Sequence, residues 1–364
     1  MVKEVRMVTT KGVLTQHHHL ADLPEGSQFS FGRVSVGTEL KDLAMGCEGN
    51  YGIITSAVVR IHPTPNVAEY SSLAFPDFET GVKFMREVAR LPQALRPSST
   101  RLSDNVQFQL AQHISGKSGS TLESLGKSMV KSYVGSWLQW DPQTISACTM
   151  VYEGEPNEVA LQKQLIKKLA NKYGGLQSGS KNGAAGYDLT FAIAYFRDLI
   201  YSYQIYGESF ETFVCWSRCL DLCRGVEADV KKVYKEMCLP GEPMICYRIT
   251  QLYEEGCCAY FYLIMNLVGV ADPCARFNEV EKVARESCLR HGGSLSHHHG
   301  VGKLRRPFMS EINSAPLNEW LKDMKNGIDP SNVFGCRNGV HGLGPDDDKR
   351  ISEVMSLSSM ESGT

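Results

Sequence analysis

Hydrophobic and polar positions alternate in short blocks along most of the chain. Val5–Val8 and Gly12–Thr15 have the period-2 texture of strands and flank a Thr-Thr-Lys turn, so they predict an opening hairpin. A variable loop follows to about Gly37. The glycine-rich stretch Gly46–Gly52 then stands before a β-branched run, Ile53–Ile61, which closes at His62-Pro63 and predicts a strand. From about Ala68 the pattern switches repeatedly between period 2 and period 3.6. Strands are expected at Tyr70–Phe75, Ser98–Leu102, Ile145–Tyr152 and Phe210–Val214. Two more, Ile245–Gln251 and Cys258–Leu267, form a hairpin through Glu254-Glu255-Gly256. Helical spacing covers Phe78–Leu91, part of Gln107–Val134 with a polar break at Ser115–Ser120, Glu155–Tyr173, Trp216–Met237, Pro273–His291 and one helix over 307–325. Gly174-Gly175 ends one of these helices as a C-cap pair, and Gly292-Gly293 stops another. Such alternation predicts an α+β fold: an antiparallel sheet with helices on one face. No repeat of fixed period is evident.

Length adds that one core is not enough, because 364 residues exceed the roughly 250–300 at which single cores stop growing. A net charge of −2 argues against a nucleic-acid surface, which is usually marked by a basic bias. Twelve cysteines in so long a chain, with no C-x-x-C pair, read as reduced and mostly buried thiols; Cys215, Cys219 and Cys223 recur at the spacing of one helix face. No apolar run reaches the ~18 residues of a membrane span. The first residues lack the apolar core of a signal peptide and look like a strand already under way, from which missing upstream sequence is expected. Ser362-Gly363-Thr364 is not a peroxisomal tripeptide of the Ser-Lys-Leu type.

The candidate chemistry centres on Gly292–Lys303. His297, His298 and His299 sit between glycines, with Lys303, Arg305 and Arg306 beyond. Imidazole exchanges protons near neutral pH, and the cationic run suits an anion, so the stretch reads as a proton-transfer site beside a bound anion. The plain alternatives are a solvated loop or a fortuitous metal site. Three consecutive histidines face one metal only if the backbone bends sharply, so no metal is assigned. His17-His18-His19, with no glycine frame, reads as a loop. Gly46–Gly52 precedes a strand, whereas the dinucleotide fingerprint follows one, so it is not that fingerprint; it can still present N–H groups to a phosphate or ring carbonyl.

Several stretches resemble the alkyldihydroxyacetone-phosphate synthase family. They are Gly292–Arg305 (GGSLSHHHGVGKLR), Gly46–Ala57, Ser99–Asn105, Ile193–Leu199 (IAYFRDL), Gly207–Thr212, Arg248–Gln251, Tyr260-Phe261-Tyr262 and Asp329–Gly335. The glycine loop and the Asp-Pro-Ser-Asn turn are shared with the wider vanillyl-alcohol-oxidase (VAO/PCMH) type of FAD protein. The histidine run and IAYFRDL are more specific to the synthases.

This resemblance implies the C-terminal part of a VAO/PCMH-type FAD-binding domain plus a ferredoxin-like cap, with the flavin ring between them. The expected divisions are 1–66 for the FAD domain, 67–300 for the cap, 301–340 for a segment returning to the FAD domain, and 341–364 for a disordered tail. Met309–Gly335 is expected to pack on Met1–Ile61. The front half of the FAD domain, with its diphosphate loop, lies outside this sequence, so FAD binding by this polypeptide alone is expected to be weak or absent.

The implied reaction exchanges the acyl chain of acyl-dihydroxyacetone phosphate for a long-chain fatty alcohol, in ether-lipid synthesis, with no net oxidation. It implies FAD at Gly46, Cys47, Glu48, Gly49, Asn50, Tyr51 and Gly52. Arg197 would bind the substrate phosphate with a bidentate fork; the plain alternative is an ion pair with a nearby acid. Tyr260 would exchange the substrate proton. A phenol with an ordinary pKa near ~10 needs help to ionise, and His297–His299 would supply it as a relay. Alternation puts Tyr260 and Tyr262 on one strand face with Cys258, and Phe261 on the other. Arg101 would face the flavin or pair with Asp104, and Cys258 would line the substrate site. A homodimer, peripheral membrane contact, and a peroxisomal location (glycosomal in a kinetoplastid) follow from the same resemblance. The competing expectations are an FAD-dependent 2-hydroxy-acid oxidoreductase and an inactive remnant.

Overall fold

The structure, a computed structural model, describes residues 1–16, 35–114 and 138–342. The His17–His19 loop, the Ser115–Ser120 break and all but the start of the 341–364 tail lie outside these residues. The chain divides into two compact units, Met1–Pro63 with Gly300 onward, and Thr64–His299.

In the first unit, β1 (Val2–Thr9) lies between β2 (Gly12–Thr15) and β3 (Ile53–Val59), all antiparallel. A short helix, α1 (Leu40–Ala44), leads into the glycine loop. Val5, Met7, Ala44, Cys47 and Tyr51 form a small core. Near the end of the unit, α8 (Met309–Ile312) and α9 (Ala315–Ile328) replace the single helix expected over 307–325. Asn313 is extended, and Ala315-Pro316 opens a new helix; proline is welcome in a first turn and breaks a helix interior. Met324 and Ile328 of α9 pack on the small core.

The second unit is built on a seven-stranded, wholly antiparallel sheet. Its strands are β4 (Val67–Phe75), β5 (Ser99–Ser103), β6 (Ser146–Gly154), β7 (Leu176–Gln177), β8 (Ile205–Cys215), β9 (Met244–Leu252) and β10 (Gly256–Asn266), in the order β7-β4-β6-β5-β9-β10-β8. The helices α2 (Phe78–Ala89), α3 (Asn105–Ile114), α4 (Pro156–Lys172), α5 (Ser180–Tyr201), α6 (Cys219–Glu236) and α7 (Pro273–Arg290) connect them. Two ferredoxin-like halves are visible in this order. β4-α2-β5-β6-α4-β7 gives strand order 4-1-3-2, and β8-α6-β9-β10-α7 gives the same arrangement without its fourth strand. The halves join where β5 pairs with β9. The sequence showed no such repeat, because the halves share topology and not a residue pattern.

Helices α2, α4, α6 and α7 send buried side chains into one core with the sheet, where Phe210 and Phe261 stack with centroids 4.8 Å apart. The expectation of helices on one face only needs correction. A Cβ on Gly207 would meet the Ile200 side chain at 2.9 Å, and Gly207 shares strand parity with Ser209 and Glu211 rather than with core-facing Phe210. The C-terminal end of α5 therefore covers the face opposite the helix-packed core. Gly183, nearer its other end, lies so close to β4 that a Cβ would stand 2.6 Å from the Ser71 carbonyl oxygen. Cys215 also departs from expectation: it closes β8, exposed, while Cys219 and Cys223 are buried on α6. All twelve cysteines are free thiols.

Candidate active site

Register assigns side chains to the face of the sheet opposite the helix-packed core. Tyr260 on β10 stands opposite Glu211 on β8 and Arg248 on β9, and Ser103 on β5 stands opposite Arg248. Cys258, Tyr260 and Tyr262 share this face, as do Ser209 and Glu211, and Arg101 through its parity with Ser103. Phe261 points into the core.

Glu211 is the centre of the cluster. Its carboxylate is fully buried and accepts the backbone N–H groups of His297, His298 (3.1 Å) and His299 (2.8 Å), together with the Ser296 hydroxyl (2.8 Å). Burial alone would raise its pKa. The donors, led by His299 N–H and the Ser296 hydroxyl, outweigh that and hold it at about 2. One carboxylate thus gathers three successive amides and bends the loop. Just upstream, Ser294 exchanges backbone and side-chain hydrogen bonds with Phe213, fastening the loop along the free edge of β8.

The imidazoles then have defined neighbours. His297 Nε2 is 2.8 Å from the Tyr253 hydroxyl, and its Nδ1 is 3.0 Å from His298 Nδ1. His299 Nδ1 stands 3.9 Å from Glu211. The Tyr260 ring stacks on His298 at 6.1 Å and meets His299 edge-on at 5.4 Å, and its hydroxyl donates to Ser209 Oγ at 2.8 Å. The Arg248 guanidinium lies over both Tyr260 (4.8 Å) and Tyr262 (5.1 Å). Its Nε is buried and has no hydrogen-bond partner among the described residues. Cys258 is buried, and burial pushes its thiol up to about 11.

The structure therefore brings Tyr260, Cys258 and the three histidines together, and adds Glu211, Arg248, Tyr253 and Ser209. None of these four was picked out from sequence, although Glu211 and Arg248 lie in the quoted stretches Gly207–Thr212 and Arg248–Gln251. Strand register, extended across β8 and β9 from Tyr260 and Tyr262, is the signal that could have found Glu211, Arg248 and Ser209; Tyr253 lies just past the end of β9, outside that register. Arg101 shares the face, two strands away from Tyr260. The Asp104 carboxylate, its alternative partner by expectation, accepts the backbone N–H groups of Gln107 (2.8 Å) and Tyr247 (3.0 Å). Arg197, on α5, is half exposed and pairs with Glu208 at 3.4 Å; among the described residues no contact joins it to Tyr260 or the histidines.

The proposed cofactor residues lie in the first unit. Gly46 and Gly49 are exposed with φ of +78°, and a Cβ on Gly46 would meet nothing within 4 Å, so this backbone is open to close approach by a ligand. That opening fits a flavin ring or phosphate. Cys47, Asn50, Tyr51 and Gly52 are buried and shape the loop instead. A Cβ on Gly52 would stand 2.3 Å from the Val8 carbonyl oxygen, which only glycine allows. Glu48 accepts the N–H groups of Val301 and Gly302, and Asn338 donates its side-chain amide to the Glu48 carbonyl (3.0 Å). His341 Nε2 is 3.1 Å from the Tyr51 hydroxyl, which ties the first residue of the expected tail to this loop.

Residues 64–337 match the family described as FAD linked oxidases, C-terminal domain. An alkyldihydroxyacetonephosphate synthase of Caenorhabditis elegans is 39% identical over 312 residues, 86% of this chain and 52% of that protein. The same enzyme of Dictyostelium discoideum is 26% identical over 305 residues, 84% of this chain and 49% of that protein. The chain thus spans about half the length of these relatives. A solved alkyldihydroxyacetonephosphate synthase structure superposes with a TM-score of 0.68 over 92% of this chain and 53% of that one, at 23% identity, and so supports the fold. The chain belongs to the FAD-linked oxidases, C-terminal domain family, and its α+β architecture is that of the VAO/PCMH type.

Proposed function

We propose that the protein carrying this chain is an alkyldihydroxyacetonephosphate synthase, replacing the acyl chain of acyl-dihydroxyacetone phosphate with a long-chain fatty alcohol. The 39% identity to the Caenorhabditis elegans synthase carries this reading. FAD, held in part by the open backbone around Gly46, would supply an electrophile and electron sink with no net oxidation. The chain's own residues do the rest. The Tyr260 hydroxyl first gives its proton to one of the flanking imidazoles, His298 or His299, and the resulting phenolate takes the proton from the carbon beside the ketone and later returns it. Arg248 sets a fixed positive charge where negative charge develops on the substrate. Arg197 receives the phosphate: its exposed pair with Glu208 is worth at most about 1 kcal/mol and yields readily to a doubly charged anion.

A homodimer, peripheral membrane contact and a peroxisomal or glycosomal location belong to the same reading. No helix among the described residues is long and apolar enough to cross a membrane. The test is an exchange assay with acyl-dihydroxyacetone phosphate, labelled hexadecanol and FAD, run beside an artificial electron acceptor. Ether product without acceptor reduction is expected. Stoichiometric acceptor reduction with no ether product would replace the reading with an oxidoreductase.

A further inference from the structure

We infer that Cys258, His297 and His298 form a binding site for a borderline divalent cation of the zinc type, with Glu211 as its charge-compensating neighbour. One ligand atom from each of these four residues lies within 4.8 Å of all the others. The set is the thiolate, imidazole and carboxylate chemistry that zinc favours. The two histidine ligands are already close to final geometry. Two nitrogens on a tetrahedral zinc, each bonded at about 2.0–2.1 Å, stand roughly 3.3 Å apart. The Nδ1 atoms of His297 and His298 face each other at 3.0 Å.

The surroundings are also those of a metal site. His297 uses its far nitrogen, Nε2, on the Tyr253 hydroxyl at 2.8 Å, which leaves Nδ1 to bind. The sharp bend that adjacent histidines need is supplied by Glu211, which collects the three successive amides. His299 turns instead toward Tyr260 and takes no part. His298 is exposed, so a cation has a route in from solvent, and its ring can move the remaining distance. Glu211 already accepts four donors and contributes charge rather than a bond, leaving the fourth position to water.

On binding, Cys258 releases its proton to solvent and forms the metal–sulfur bond. The imidazoles bind as neutral rings, and the His298 Nδ1 proton moves to Nε2. The cation's two positive charges are then balanced by the Cys258 thiolate and the Glu211 carboxylate. If the proton relay proposed above is correct, occupancy also ties up His298 and stops it.

The test uses cobalt(II) as probe on the full chain, first stripped with chelator, and reads the difference spectrum. Expected are a thiolate-to-cobalt charge-transfer band, intense tetrahedral ligand-field bands, and loss of both on adding zinc. Cys258→Ser should abolish the charge-transfer band. His298→Ala, at an exposed position that cannot threaten the fold, should weaken cobalt binding at least tenfold. Absence of the band at saturating cobalt, or a band unchanged in both variants, would overturn the inference. The spectrum does not depend on turnover, so either result leaves the transferase reading standing or falling on its own assay.

Discussion

At the scale of single residues, Glu211 shows how a site is built from backbone as much as from side chains. An acidic residue in a strand reads from sequence as solvent-facing. Here it is buried because its donors arrive from a loop more than 80 residues away. Glu211→Gln should lower stability by about 2–3 kcal/mol in urea melts, since an amide nitrogen would then face N–H donors. An unchanged midpoint would show that the amides hold the loop without it. Tyr260 and Phe261 were legible, because strand parity alone sends them to opposite faces. Arg248 was not, because only the register of β9 against β10 puts it over Tyr260. In the full-length protein, Arg197→Lys should cut turnover at least tenfold with flavin content normal, because lysine keeps the charge and loses the planar fork. Near wild-type turnover would return Arg197 to a surface ion pair with Glu208.

Among the elements, the long periodic helices and the β9–β10 hairpin were readable, and α5 was not. Ser180–Tyr201 carries Gly183 and Gly186 and no clean apolar stripe, so its pattern resembles a loop. Tertiary contact explains Gly183. Alanine there gains up to about 1 kcal/mol in helix propensity but drives a Cβ into the backbone of β4. Gly183→Ala should therefore lower the melting temperature, and a rise would show that α5 can lift off β4 freely. The start of α3 is pinned by Asp104, which bridges the Gln107 and Tyr247 amides. Burial pushes its carboxyl up to about 7, against the pull of those two amides. The folded state then binds more protons than the unfolded one between the ordinary carboxyl range and pH 7, so this contribution is full at low pH and is lost as pH rises. The stability difference between wild type and Asp104→Asn should fall from pH 4 to pH 7 and level off above. A difference independent of pH would contradict the shift.

On the scale of the whole molecule, length predicted more than one core, and the two units answer to that. The first unit's small core draws on both ends of the sequence, which no local pattern announces. The second unit doubles a ferredoxin-like arrangement into one continuous sheet, and its face opposite the helix-packed core carries the candidate chemistry at β8–β10. In the proposed reaction Tyr260 on this face moves the substrate proton. This role is tested most directly by measuring exchange turnover in the protein carrying this chain, with FAD present, for wild type and Tyr260→Phe. Phenylalanine keeps the ring against Arg248, His298 and His299 and removes only the hydroxyl. A loss of at least about 100-fold in turnover is expected, with an unchanged melting temperature. Turnover within a few-fold of wild type would contradict it.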